Sequence, residues 1–151
     1  MPSLLRNATP LGSLTLGIAL AITLDQFLPV RVVIDYPFTT LGVLPIVAGV
    51  LQFSWCVSLF TNAKTELAPG GMPTTLVTSG PYRYTRNPIY LANMLVLLGT
   101  CVMLGSLSPF IVIPLFFLVV NTFIIPFEER RLHSIFGEDY AAFQRRVRRW
   151  L

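Results

Sequence analysis

The sequence predicts an all-α integral membrane protein of about four transmembrane helices with a cytosolic helical segment after the last one. Three observations carry this. Over half of the 151 residues are apolar and only 12% are charged, about half the charged fraction of a typical soluble domain. The charge is missing in blocks, which leaves four long apolar stretches. Lysine and arginine gather on one side of those stretches. The length suits a single domain, residues 1–151.

The stretches are residues 11–28, 41–60, 89–104 and 107–127. A spanning helix needs roughly 20 mostly apolar residues, with about 17 as the lower limit. The second and fourth meet this easily. The first carries Asp25 and Gln26 near its end, which places that end at the interface. It has Arg6 in front but no small-x-small site before Asp25, so cleavage as a signal peptide is not expected. The third is short unless its entry turn, around Pro88 to Tyr90, already lies among the headgroups.

The third and fourth stretches are joined only by Gly105, Ser106, Leu107, Ser108 and Pro109. Gly and Ser permit a tight turn, and Pro109 suits the first turn of the following helix. An antiparallel membrane hairpin is expected. With four spans, both termini and the loop 61–88 share a side. That side holds Arg6, Lys64, Arg83, Arg86, Arg130, Arg131, Arg145, Arg146, Arg148 and Arg149, and the other holds only Arg31. The excess places both termini and the loop in the cytosol, with a bacterial inner membrane preferred to an endoplasmic reticulum.

Residues 64–75 are polar and rich in Gly and Pro and read as irregular. Residues 76–90 hold Gly80, Pro81 and Pro88, which force turns, with Arg83, Arg86, Tyr82, Tyr84 and Tyr90 set on them. The tail 128–151 reads as a helix over 128–136, stopped by Gly137. An amphipathic helix over 138–149 follows, with Tyr140, Phe143, Val147 and Trp150 on one face and arginines on the other, suited to an anionic leaflet. No nucleic-acid module is present. Cys56 and Cys101 lie in apolar runs and read as packing residues. With them dispersed and His133 the single histidine, a metal site is not expected.

Charged residues at the end of a span are costly unless paired or solvated. Glu128 and Glu129 follow the fourth stretch directly, and Arg86 precedes the third. The hairpin between them should bring Arg86, Asn87 and Tyr90 close to Glu128 and Glu129. Each residue also has a plainer reading. The arginines could be positive-inside anchors and the tyrosines an interfacial belt, and the glutamates could simply begin a helix.

Residues 80–90, Gly-Pro-Tyr-Arg-Tyr-Thr-Arg-Asn-Pro-Ile-Tyr, resemble the GPYxxxRHPxY signature of the isoprenylcysteine carboxyl methyltransferase and phospholipid methyltransferase superfamily. Glu128, Glu129 and Leu132, followed by Phe136, Gly137 and Tyr140, resemble its second signature, EExxLxxxFGxxY. The resemblance covers about the last half of the chain. It implies a membrane methyltransferase without a Rossmann domain, using S-adenosylmethionine on a lipophilic acceptor: isoprenylcysteine-type carboxyl O-methylation or a related lipid methylation. Carried over, Tyr82, Arg86, Asn87, Pro88 and Tyr90 would frame the cofactor pocket, with Glu128, Glu129 and Tyr140 closing it. Leu132 and Phe136 would pack the cover. Arg86, Glu128 and Glu129 are the catalytic candidates. Asn87 stands where the family usually has His, and Asn cannot serve as a base near neutral pH. Two rival readings are a non-catalytic scaffold or accessory subunit whose basic tail binds membrane lipid, and an NADPH-dependent sterol-type reductase.

Overall fold

The computed structural model describes residues 10–65 and 73–151. Arg6 and the middle of the polar loop fall outside them. The described residues are helical with no strand; a lone antiparallel bridge joins Val32 and Ser106. The four apolar stretches fold as α1 (Pro10–Phe27), α2 (Phe38–Asn62, its first turn a 3-10 helix), α3 (Pro88–Leu104) and α4 (Ser108–Phe136). A short helix, α5 (Glu138–Arg146), follows. Helices α1, α2 and α4 are long and apolar enough to cross a membrane. Their outward faces are greasy: Leu16, Leu44, Leu51 and Leu118 are all exposed. Such an inside-out surface is what a lipid solvent allows.

Helix α3, at 17 residues, rises only about 25 Å. It is nevertheless the centre of the bundle, packing against α1, α2 and α4. Its buried residues include Ile89, Tyr90, Ala92, Asn93, Leu97, Gly99 and Cys101. Contact with α2 is close because both helices carry small residues there. A Cβ on Gly49 would lie 2.6 Å from the Ala92 carbonyl oxygen, so only glycine fits. Without a hydrophobic force between helices in lipid, such close backbone packing holds them together.

The expected hairpin forms. Gly105 ends α3 in the left-handed region, φ 79°, a conformation that costs any other L-residue. Its carbonyl accepts from Val33 N (2.9 Å) and Ile34 N (3.1 Å), and Leu107 N donates to Arg31 O (2.8 Å). Ser106 Oγ donates to Asp25 Oδ1 at 2.5 Å. Asp25 therefore ends α1 by holding the turn between α3 and α4.

Two expectations about the later chain are corrected. The fourth span and the helix after it are one continuous helix of 29 residues. Pro126 lacks an N–H and would clash inside an α-helix. A π-helical segment, Val120–Ile124, stands just before it and widens the coil. Secondly, the last helix stops at Arg146, and Val147 is extended, φ −120° and ψ 135°. Residues 147–150 form a strap rather than the end of an amphipathic helix. The reason is competition for backbone groups. The Arg148 carbonyl accepts from Arg86 N (2.9 Å), and the Arg149 carbonyl from Thr85 Oγ1 and Asn87 Nδ2, both 2.9 Å. Trp150 thus leaves the α5 face and packs on α4.

Candidate active site

The site is built where α3 begins and α4 leaves the bundle. Gly80–Arg83 forms a 3-10 turn started by Gly80 at φ 60° and Pro81. Pro88 opens α3. Between them Arg86 is aimed at α4. Its Nη1 stands 2.8 Å from Glu129 Oε1, with both side chains 13% exposed. Arg149 of the strap reaches the same carboxylate, Nη2 to Oε2 at 2.6 Å and Nε to Oε1 at 3.3 Å. Glu129 is thus shared by two arginines. Arg86 Nε and Nη1 are buried and make no well-aligned hydrogen bond, an uncommon condition for charged donors.

The neighbouring acid pairs differently. Tyr90 OH donates to Glu128 Oε1 at 2.7 Å, joining α3 to α4 across the hairpin. Tyr140 of α5 is 2% exposed. Burial pushes its phenol up, the Glu129 carboxylate adds to this, and Arg86 opposes it. Those charges place Tyr140 beside the Arg86–Glu129 pair. Tyr82 is buried toward α2, edge-on to Phe60 with ring centroids 5.7 Å apart. Burial raises its phenol well above the usual range, with Glu128 a smaller contributor. Leu132 and Phe136 pack on the cluster that holds Tyr82, Tyr140 and Phe143.

Arg86, Glu128, Glu129, Tyr90 and Tyr140 therefore come together. Asn87 and Pro88 turn elsewhere. Asn87 donates its amide to the strap, and the Pro88 carbonyl accepts from Gln52 Nε2 of α2 at 2.8 Å. Asn87 acts here as a tie, a use for which an amide serves as well as an imidazole donor.

Three residues were missed at the level of sequence. By sequence Arg149 reads as a membrane anchor, and only the need of a second cation beside two adjacent carboxylates marks it. Asn121 lies in the π segment and accepts from Trp150 Nε1 at 3.0 Å. The Trp150 ring also meets Phe117, with centroids 5.1 Å apart. Polar residues within a span and π segments are both enriched at functional positions.

The sequence profile of the phospholipid methyltransferase family matches residues 37–139, so it includes the first signature, the hairpin and the second signature up to, but not including, Tyr140. The chain is 36% identical to the cobalt-zinc-cadmium resistance protein CzcN of Cupriavidus metallidurans, over 72% of this chain and 46% of that protein. It is 40% identical over 63 residues to an uncharacterized protein of Haemophilus influenzae, 42% of this chain and all of that one. With the nickel-cobalt-cadmium resistance protein NccN of Alcaligenes xylosoxydans xylosoxydans it shares 29% identity, over 68% of this chain and 45% of the relative. The chain thus spans about half the length of the two resistance proteins. No solved structure is significantly similar. Apolar helices, paired signatures and the profile match agree: this chain is an integral membrane protein of the phospholipid methyltransferase family, within the isoprenylcysteine carboxyl methyltransferase-like superfamily.

Proposed function

We propose that the chain transfers a methyl group from S-adenosylmethionine to a lipophilic acceptor at the cytosolic face of the membrane. The observation that carries this reading is the ionic cluster of Arg86, Glu129, Glu128 and Tyr90, with buried Arg86 donors left without aligned partners. These groups fit the cofactor's polar parts. Arg86 would bind its carboxylate, because charge-assisted bonds to a guanidinium are strong and directional. The two glutamates would accept from its ammonium and ribose hydroxyls, and Tyr90 would hold Glu128 in place. When bound, the cofactor supplies an electrophilic methyl group on a sulfonium. Direct displacement needs alignment of donor and acceptor above all, and a cluster fixed between two helices of one hairpin provides it. A carboxylate acceptor needs no base. An amine acceptor must lose a proton, and Glu128 or Glu129 would take it.

The location suits both reactants. A water-soluble cofactor and a membrane-dissolved acceptor meet at an interfacial site. Isoprenylcysteine-type carboxylates and phospholipid amines are the two acceptor classes. Incubation of membranes containing the protein with methyl-labelled cofactor, followed by lipid extraction and base treatment, separates them. Base-labile label identifies an ester, and base-stable label an amine. No labelled lipid product at all, with the protein folded in the membrane, defeats the reading.

One observation favours a non-catalytic scaffold instead. Both Glu129 oxygens are engaged within the chain, by Arg86 and Arg149. A scaffold tolerates Glu129→Gln together with Arg86→Lys. The enzyme loses activity with either.

A further inference from the structure

Resting on the reading above, the geometry points to a built-in placeholder. We infer that Arg86 and Glu129 form the subsite for the amino-acid end of the cofactor, and that the Arg149 guanidinium occupies the ammonium position until the ligand displaces it.

One carboxylate, Glu129, faces two guanidiniums, Arg86 and Arg149, one cation more than its own pairing needs. Moving Arg149 out and placing an ammonium beside Glu129 keeps that carboxylate paired. A carboxylate from the same ligand then meets Arg86, whose Nε and Nη1 are the buried donors without aligned partners. An α-amino acid group carries both charges on adjacent atoms, and the pair of residues it needs already stands 2.8 Å apart. The exchange leaves Arg86 and Glu129 each facing an opposite charge on the ligand.

Exposure says which arginine moves. The Arg149 side chain is 34% exposed, while those of Arg86 and Glu129 are 13% exposed. Arg149 can swing into water, and Arg86 cannot without dragging its loop. The strap itself stays in place during this motion, because its backbone is tied independently. Arg148 O and Arg149 O hold residues 85–87, and the Trp150 indole holds Asn121. Only one side chain has to change rotamer. An arginine on its long stem does this at low cost once a competing cation is present. The result is a site that is never open with a bare buried carboxylate, and one that discriminates against ligands lacking the amino-acid end.

The test is calorimetry on the full chain in detergent with two probes. S-adenosylhomocysteine carries the amino-acid end, and 5′-methylthioadenosine lacks it. Arg149→Gln should tighten S-adenosylhomocysteine by on the order of tenfold, the size of one charge-assisted bond no longer competed for. It should leave methylthioadenosine unchanged. Arg149→Lys keeps a cation in place with a poorer fit and should show a smaller gain in the same direction. Equal or weaker binding of S-adenosylhomocysteine by both variants overturns the placeholder while leaving the methyltransferase reading intact. An equal gain for both probes also overturns it, since that reports a loosened site rather than a vacated one. Failure of the wild-type chain to bind S-adenosylhomocysteine at all removes the methyltransferase reading and the placeholder with it.

Discussion

At the turn end of the bundle, a serine hydroxyl and three backbone amides tie α1, α3 and the segment after α1 together. At the motif end, α3 and α4 are joined by a phenol on a carboxylate, and a second carboxylate of α4 is held by arginines of the turn before α3 and of the strap. The turn end is lined by apolar surface, including a groove between α1 and α4 formed by Leu24, Leu28, Leu107, Phe110, Ile111 and Pro114. Arg31 is the lone lysine or arginine between residues 28 and 63. The hairpin is therefore closed here by one hydroxyl on a carboxylate and by backbone bonds, without an ion pair at the tie. Buried ion pairs are poor value for stability alone, so the charges at the other end support the function proposed above.

The contrast can be broken or sharpened by substitution. The largest effect is expected from Glu129→Ala, which strands two arginines. Methyl transfer should fall by at least about a hundredfold, equivalent to roughly 3 kcal/mol, with the amount of protein in the membrane unchanged by quantitative blotting. Next comes Gly105→Val at the opposite end. A β-branched residue at φ 79° also meets the Ile34 carbonyl, 2.6 Å from the position of its Cβ. A loss of about 2–4 kcal/mol in detergent unfolding is expected, with cofactor affinity retained by the protein that remains folded. Tyr90→Phe should lower transfer about tenfold by releasing Glu128, measured as initial rate with labelled cofactor. Smallest is Ser106→Ala, which deletes one hydroxyl bond to Asp25. Its cost should stay below about 1.5 kcal/mol, with no change in transfer rate. Should either turn-end variant weaken cofactor binding by the folded protein, the two ends are coupled and the division of labour is wrong.

Much of the bundle was legible because membrane helices announce themselves by length and composition. The hairpin followed from five residues, Gly105 to Pro109, too few for anything but a turn. The approach of Arg86 and Tyr90 to Glu128 and Glu129 followed from that hairpin, and the two signatures added their chemical meaning. The strap was not legible. Residues 138–149 have helical amphipathicity, and what ends the helix at Arg146 is backbone pairing with Thr85, Arg86 and Asn87, partners about 60 residues away. Periodicity carries no record of such pairing. The continuity of α4 was hidden for a different reason. Pro126 and the step from apolar to charged residues both look like a boundary, and the π segment that absorbs the proline has no signature of its own. The edge-on packing of Tyr82 against Phe60 was also not legible, because it depends on how α2 lies beside the turn.

Helix α4 runs 29 residues without a break, roughly 43 Å at the usual rise, against about 30 Å of hydrocarbon. The acids thus ride on a rod anchored at one margin of the bilayer and emerging at the other. Rods longer than the slab they cross respond to its thickness by leaning. A thicker or thinner membrane will therefore change how far Glu128 and Glu129 stand above the lipid surface, and host lipid composition becomes a control on how easily the proposed lipophilic acceptor would reach them.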